Sequence, residues 1–222
     1  MKPPLIVVNF KTYQEATGEN AVTLAHSASD VTRDTGVPVS VAPCVVDLRK
    51  AASVADVPIL AQHVDDVGYG SHTGHVPAAY VKDLGLWGTL LNHSERTLPS
   101  DAIARTLEAV GQTKLGSVLC IGTIARLKEL MGLGLQPSFL AIEPPELIGS
   151  GRSVSKYRPD LISDAAEVAA ESKTPLLCGA GIVEGRDVRK AMELGAEGIL
   201  VASGVVKAKD PRAVMEEFAT SL

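Results

Sequence analysis

Apolar residues come in short runs along this chain. Eight such runs recur at fairly even spacing, at positions 5–9, 38–42, 58–61, 87–91, 117–121, 139–142, 175–178 and 198–201. Each is bounded by turn-forming residues and is short, which reads as a buried strand. Between most of them apolar positions return every three or four residues, as at 102–110, 124–131, 159–171, 187–194 and 211–218. That spacing predicts amphipathic helices. The punctuation agrees. Gly36, Gly85 and Gly195 stand where a helix would end and a strand begin, and Pro99-Ser100-Asp101 and Asp210-Pro211 supply capping residues or early prolines. Strands alternating with helices imply a parallel sheet with right-handed crossovers. Eight repeats favour closure into a (β/α)8 barrel; an open doubly wound sheet is the second architecture that the pattern admits. No linker or low-complexity tract interrupts positions 1–222, so one domain is expected. At 222 residues its helices and loops must be trimmed.

Composition narrows the class. A hydrophobic share of 45% supports a real core, and a net charge of −5 with 4% aromatics argues against nucleic acid or a membrane surface as partner. The first nine residues hold too short an apolar part for a secretory signal, and no stretch is long enough to span a bilayer. Cys44, Cys120 and Cys178 lie far apart, with no Cys-x-x-Cys pair. This fits a reduced, cytoplasmic protein.

Chemistry in a barrel gathers where strands end and loops begin, at the C-terminal face. The polar residues there are Asn9 and Lys11 after the first run, Gln62, His63, Asp65 and Asp66 after the third, Asn92 to Arg96 after the fourth, and Glu143 after the sixth. Glu143 is the most directive. It closes Phe139-Leu140-Ala141-Ile142 and is followed by Pro144 and Pro145, which favour extended backbone before them. A carboxylate fixed at a strand end, with a loop of small residues beyond it, suits a general base under a lid. Lys11 reads either as a solvated surface lysine or as a site cation; Asn9 beside it favours the site, because an amide at a strand end is polar in an expensive place. His93 alone reads as a partly buried histidine, and Glu95 and Arg96 as a structural ion pair orienting Lys11 or the loop.

Gly179-Ala180-Gly181 and Ala202-Ser203-Gly204 expose backbone N–H groups after the last two strands, where barrels often hold phosphate. Such turns are common and specify no ligand alone. The first misses the dinucleotide fingerprint, since position 184 is Glu. His63, Asp65, Asp66, His72 and His75 admit a divalent-metal reading, but their glycine-rich surroundings favour a polar interface loop.

Taken together, Asn9-Phe10-Lys11, Asn92-His93-Ser94-Glu95-Arg96, the segment from Glu143 through Pro144-Pro145-Glu146-Leu147-Ile148 to Gly149, Cys178-Gly179-Ala180-Gly181 and Leu200-Val201-Ala202-Ser203-Gly204 resemble the triosephosphate isomerase family, in its short archaeal-type branch. The resemblance covers essentially the whole chain. It implies a TIM barrel and an aldose–ketose isomerase acting on triose phosphates in glycolysis and gluconeogenesis. Glu143 would be the base, His93 the electrophile and Lys11 the cation, with Asn9 holding substrate. Gly149, Gly181, Ala202 and Ser203 would donate to the phosphate, with Ile148 in the closing loop. Neither metal nor organic cofactor is implied. The family likeness also implies a homodimer or homotetramer, joined through the loop from Gln62 to Val76 with Thr73-Gly74 near its tip. Two departures stand out: Asn92 where many relatives have glycine, and Glu146-Leu147 where longer relatives carry tryptophan.

Two rival functions remain open at this point. One is a metal-dependent pentose-phosphate epimerase using His63 and Asp65; the other is a barrel that binds a sugar phosphate without turning it over.

Overall fold

All eight expected strands form, each within two residues of its predicted bounds: β1 Leu5–Asn9, β2 Val39–Ala42, β3 Leu60–Ala61, β4 Gly88–Leu91, β5 Gly116–Ile121, β6 Phe139–Ile142, β7 Leu176–Cys178 and β8 Gly198–Val201. The computed structural model describes residues 1–144 and 158–222. Every strand pair is parallel, and the hydrogen-bonded order runs β2-β1-β8-β7-β6-β5-β4-β3. A bridge between Val41 and Ile59, with the Val41 N–H donating to Pro58 O at 3.3 Å, brings the two ends together into a barrel. The open-sheet alternative is therefore set aside.

Strand alternation sorts side chains into two layers. Leu5 and Val7 of β1, Val118 and Cys120 of β5, and Phe139 and Ala141 of β6 share one buried cluster inside the barrel. Their neighbours Ile6, Val8, Leu119, Ile121, Leu140 and Ile142 join the larger cluster that also holds the helices' apolar residues. One step of two further along, the inward positions become Asn9 and Glu143. The other end is stoppered by Trp87 against Phe139, ring centroids 5.9 Å apart. Trp87 lies flush on Gly116, where an added Cβ would come within 2.2 Å of its ring.

Nine α-helices lie among the described residues: α1 Glu19–Thr35, α2 Leu48–Ala52, α3 Ala78–Asp83, α4 Ser100–Gln112, α5 Ile124–Gly132, α6 Pro159–Ser172, α7 Gly185–Glu193, α8 Ser203–Val206 and α9 Pro211–Ala219. Helix α1 ends as expected at Gly36, whose φ of 75° is left-handed and whose N–H bonds Thr32 O. Gly85 and Gly195 take the same conformation after α3 and α7. Asp210 caps α9 by accepting from the Ala213 N–H at 3.0 Å, with Pro211 in the first turn. The expected start of α4 is shifted in role. Pro99 sits at the cap position, while the Ser100 hydroxyl turns away to Glu129 Oε1 at 2.7 Å. Among the described residues no helix is long and apolar enough to cross a membrane.

Candidate active site

The C-terminal mouth of the barrel holds a cleft of about 200 Å3. Asn9, Lys11, His93, Glu143, Gly181, Ala202 and Ser203 all line it, brought together from β1, β4, β6, β7 and β8. Ile148 and Gly149 lie outside the described residues.

At β1, Asn9 is buried and its Oδ1 accepts from the Lys11 N–H at 3.0 Å. Lys11 takes the left-handed backbone conformation, φ 48°, uncommon for a side chain with a Cβ. The turn is held by the Gln62 amide, which donates to Lys11 O and Ala42 O, each at 2.9 Å. The Lys11 ammonium then reaches Glu95 Oε1 at 2.8 Å. Glu95 and Arg96 do not pair with each other, as the sequence had suggested. Consecutive residues in this turn face apart, so Glu95 takes Lys11 and Arg96 approaches Asp65 Oδ1 at 3.4 Å.

Asn92 also adopts a left-handed φ of 59°. Asparagine tolerates this region better than most residues, and its amide joins both sides of the turn: Nδ2 donates to Cys120 O and Oδ1 accepts from the Leu98 N–H, both at 2.8 Å. Glycine would allow the turn but leave these bonds unmade. The next residue, His93, is thereby aimed into the cleft. Its Nδ1 accepts from the Glu95 N–H at 3.2 Å. A backbone N–H can only donate, so the neutral ring carries its proton on Nε2. That Nε2 stands 3.4 Å from Glu143 Oε1.

Glu143 is 3% exposed, its N–H anchored to Ile121 O at 2.8 Å. Its Oε2 is buried and has no hydrogen-bond partner among the described residues. The side chain rests on Gly179, where an added Cβ would fall 2.4 Å from Glu143 Cγ. Cys120, the residue before the end of β5, abuts the carboxylate. Burial first, and the negative charge of Glu143 second, push its thiol well above the ordinary range. Burial likewise lifts Cys178 to about 12. The sequence had not singled out Cys120 or Gly179 as neighbours of the base, although counting by twos along β5 points Cys120 inward.

The loops after β7 and β8 form the opposite wall. Asp187 accepts from the N–H groups of Val183 and Glu184 at 3.0 and 3.2 Å, fixing the first loop. Gly204 packs so closely on it that an added Cβ would lie 3.1 Å from Ile182 O. Tyr13, Ile182 and Val183 also line the cleft and were not foreseen.

The histidine-rich loop after β3 stays apart from this cleft. His63 Nε2 meets Asp65 Oδ1 at 3.1 Å, and Asp65 Oδ2 accepts from the Val76 N–H at 2.7 Å. Burial chiefly lowers the pKa of His63, with Arg96 adding to it. Burial alone would raise Asp65, but the Val76 N–H and His63 bonds outweigh it and leave the carboxyl below its ordinary value. Asp66 is taken by Arg105 at 2.6 Å. Among the described residues no three His, Cys, Asp or Glu side chains converge as a metal site.

The triosephosphate isomerase family model matches residues 4–219. The chain belongs to the triosephosphate isomerase family. Similar triosephosphate isomerases include that of Methanosarcina acetivorans, 43% identical over 220 residues covering 98% of each chain. That of Methanothermus fervidus is 42% identical over the full length of both, and that of Cenarchaeum symbiosum 44% identical over all of this chain and 99% of its own. As a triosephosphate isomerase family member of the archaeal-type branch, the chain gives no support to the epimerase or to the non-catalytic barrel.

Proposed function

We propose that the protein interconverts D-glyceraldehyde 3-phosphate and dihydroxyacetone phosphate by proton transfer through an enediolate. The observation that carries this is a buried carboxylate, Glu143, 3.4 Å from the donor nitrogen of His93 in one cleft with Lys11. Glu143 takes the proton from the carbon beside the carbonyl. The C–H electron pair becomes a C=C bond while the carbonyl π pair moves onto oxygen. That oxygen receives a hydrogen bond from His93 Nε2–H and faces the Lys11 ammonium, so charge is met where it develops. His93 Nε2 gives its proton to that oxygen and takes the one on the neighbouring hydroxyl, and Glu143 returns its own proton to the former carbonyl carbon as the second oxygen's pair closes the new C=O. One carbon is oxidised as its neighbour is reduced, so no outside electron acceptor is needed.

Asn9 supports this end of the site by fixing the Lys11 turn. Gly181, Ala202 and Ser203 offer backbone donors to the phosphate from the opposite wall; the family likeness adds Gly149, with Ile148 in the closing loop. A dianionic phosphate supplies remote binding energy for closure. A coupled assay with glyceraldehyde 3-phosphate in buffer containing a strong chelator tests the reaction. Turnover should persist, whereas chelator-sensitive activity would favour the metal-dependent epimerase. Glu143→Asp withdraws the carboxylate by about one bond length, ~1.5 Å. It should cut kcat about 100-fold or more with little change in phosphate affinity. Phosphate binding without any wild-type turnover would favour the binder.

The active assembly is proposed to be a homodimer or homotetramer in the cytoplasm. Val46 and Tyr80 are exposed apolar groups that line one groove with Val45 and His75 beside the loop from Gln62 to Val76, and Tyr69 stacks on Tyr80. Removing 66–75 should leave a folded, nearly inactive monomer. An intact oligomer in sedimentation after that deletion would count against it.

A further inference from the structure

The charge in the cleft does not match the ligand proposed for it. Among the described residues lining it, the fixed charges are Lys11 and Glu143, and the Lys11 ammonium is already bonded to Glu95. Among the described residues a phosphate-bearing substrate therefore finds one cation flanked by two carboxylates in the cleft, on a chain whose net charge is −5. Another positive charge touches a residue of the cleft wall. The Lys207 Nζ sits over the ring of Tyr13, 4.3 Å from its centroid. Tyr13 is half-buried and forms part of the cleft wall. Lys207 follows α8 directly, its N–H bonded to Ser203 O at 3.0 Å, on the wall that carries Ala202 and Ser203. Among the described residues it has no carboxylate partner, so its charge is not cancelled locally.

A ring face attracts an ammonium without neutralising it, and so holds a flexible lysine in place with its charge intact. Tyr13 itself is tied down. Its carbonyl accepts from the Ala16 N–H at 2.9 Å, and it stands two residues beyond Lys11. The pair thus links the β1 loop to the segment that follows α8. A charge one ring away from the cleft lies within about one screening length, ~8 Å at physiological salt, of an anion inside it.

Resting on the triose-phosphate reading, we infer that Lys207, held over Tyr13, is an outer positioning cation that draws the anionic end of the substrate toward the β8 wall. Its action is on binding, common to substrate and transition state, so it appears in KM and not in kcat.

The test compares Lys207→Met, Tyr13→Leu and the double variant with wild type in steady-state kinetics across a salt series. Lys207→Met should raise KM about three- to tenfold, the scale of one partly screened charge, and flatten the salt dependence of kcat/KM. Tyr13→Leu should do the same, and the double variant should be no worse than either single one. Lys207→Arg and Tyr13→Phe, which keep the charge and the ring face, should recover the wild-type KM. An unchanged KM and salt dependence in Lys207→Met, penalties that multiply in the double variant, or a loss confined to kcat would each overturn the inference. Calorimetry with inorganic phosphate separates this from the isomerase reading. Weaker phosphate binding by Lys207→Met upholds the outer cation even if wild type turns over no triose phosphate, a result that would sink only the isomerase.

Discussion

Replacing Gly179 with alanine tests whether the base is held by shape. The added Cβ would lie 2.4 Å from Glu143 Cγ and 3.1 Å from Ile142 O, where ordinary contacts begin near 3.4 Å. The carbonyl belongs to β6 and is fixed by its strand, so the glutamate side chain must yield, by about 1 Å at Cγ. A misplacement of that size at a reacting group costs roughly 100-fold in rate, or about 2.7 kcal/mol in the barrier. Of the proposed phosphate donors only Gly181 shares that turn, so KM and inhibition by inorganic phosphate should change much less than kcat. Initial rates with glyceraldehyde 3-phosphate, alongside a thermal melt, give both readings. Gly111→Ala is the control. It lies inside α4 with open space around an added Cβ, and it should keep full activity while gaining about 0.5–1 kcal/mol of stability. If Gly179→Ala is folded and its kcat stays within about threefold of wild type, Glu143 is not positioned by that contact and the geometric argument fails.

Asn92→Ala keeps the left-handed strain and leaves Cys120 O and the Leu98 N–H unpaired, so urea unfolding should show a loss of about 2–4 kcal/mol. Asn92→Gly should lose less, because it relieves the strain. The folded pKa of His63 lies below its ordinary 6.5, so stability is fully present above that value and falls as pH drops through the lowered one. His63→Gln should flatten that part of a pH–stability curve; an unchanged slope would refute it. Alkylation at pH 8 should label the half-exposed Cys44 alone in the native protein, since Cys120 and Cys178 are buried and their thiols pushed up, and all three in urea.

The strands were legible as short apolar runs between turn formers, and Asn9 and Glu143 as the polar residues that close two of them. From Leu5 and from Phe139, counting by twos reaches Asn9 and Glu143. His93 breaks that count: the left-handed turn at Asn92 redirects the chain, and no local pattern announces where the next side chain points. Its role, like that of Lys11, came from likeness to a family. Helix α1 was announced only by Gly36 at its end, because its inner face is mostly alanine, at 21, 25 and 28, which gives little apolar contrast. The partners of Glu95 were hidden for a different reason. Lys11 is 84 residues away in sequence, and only barrel closure brings the two together.

The ring of strands has a join. Between β2 and β3 the backbone contributes one bridge and a 3.3 Å bond, and the Gln62 amide stitches across it to Ala42 O and Lys11 O. Thermal opening of the cylinder should begin at this weakest staple, and the same motion releases the turn that presents the lysine. Heat would then silence the protein while most of its secondary structure is intact, so the temperature at which it stops working and the temperature at which it melts need not coincide.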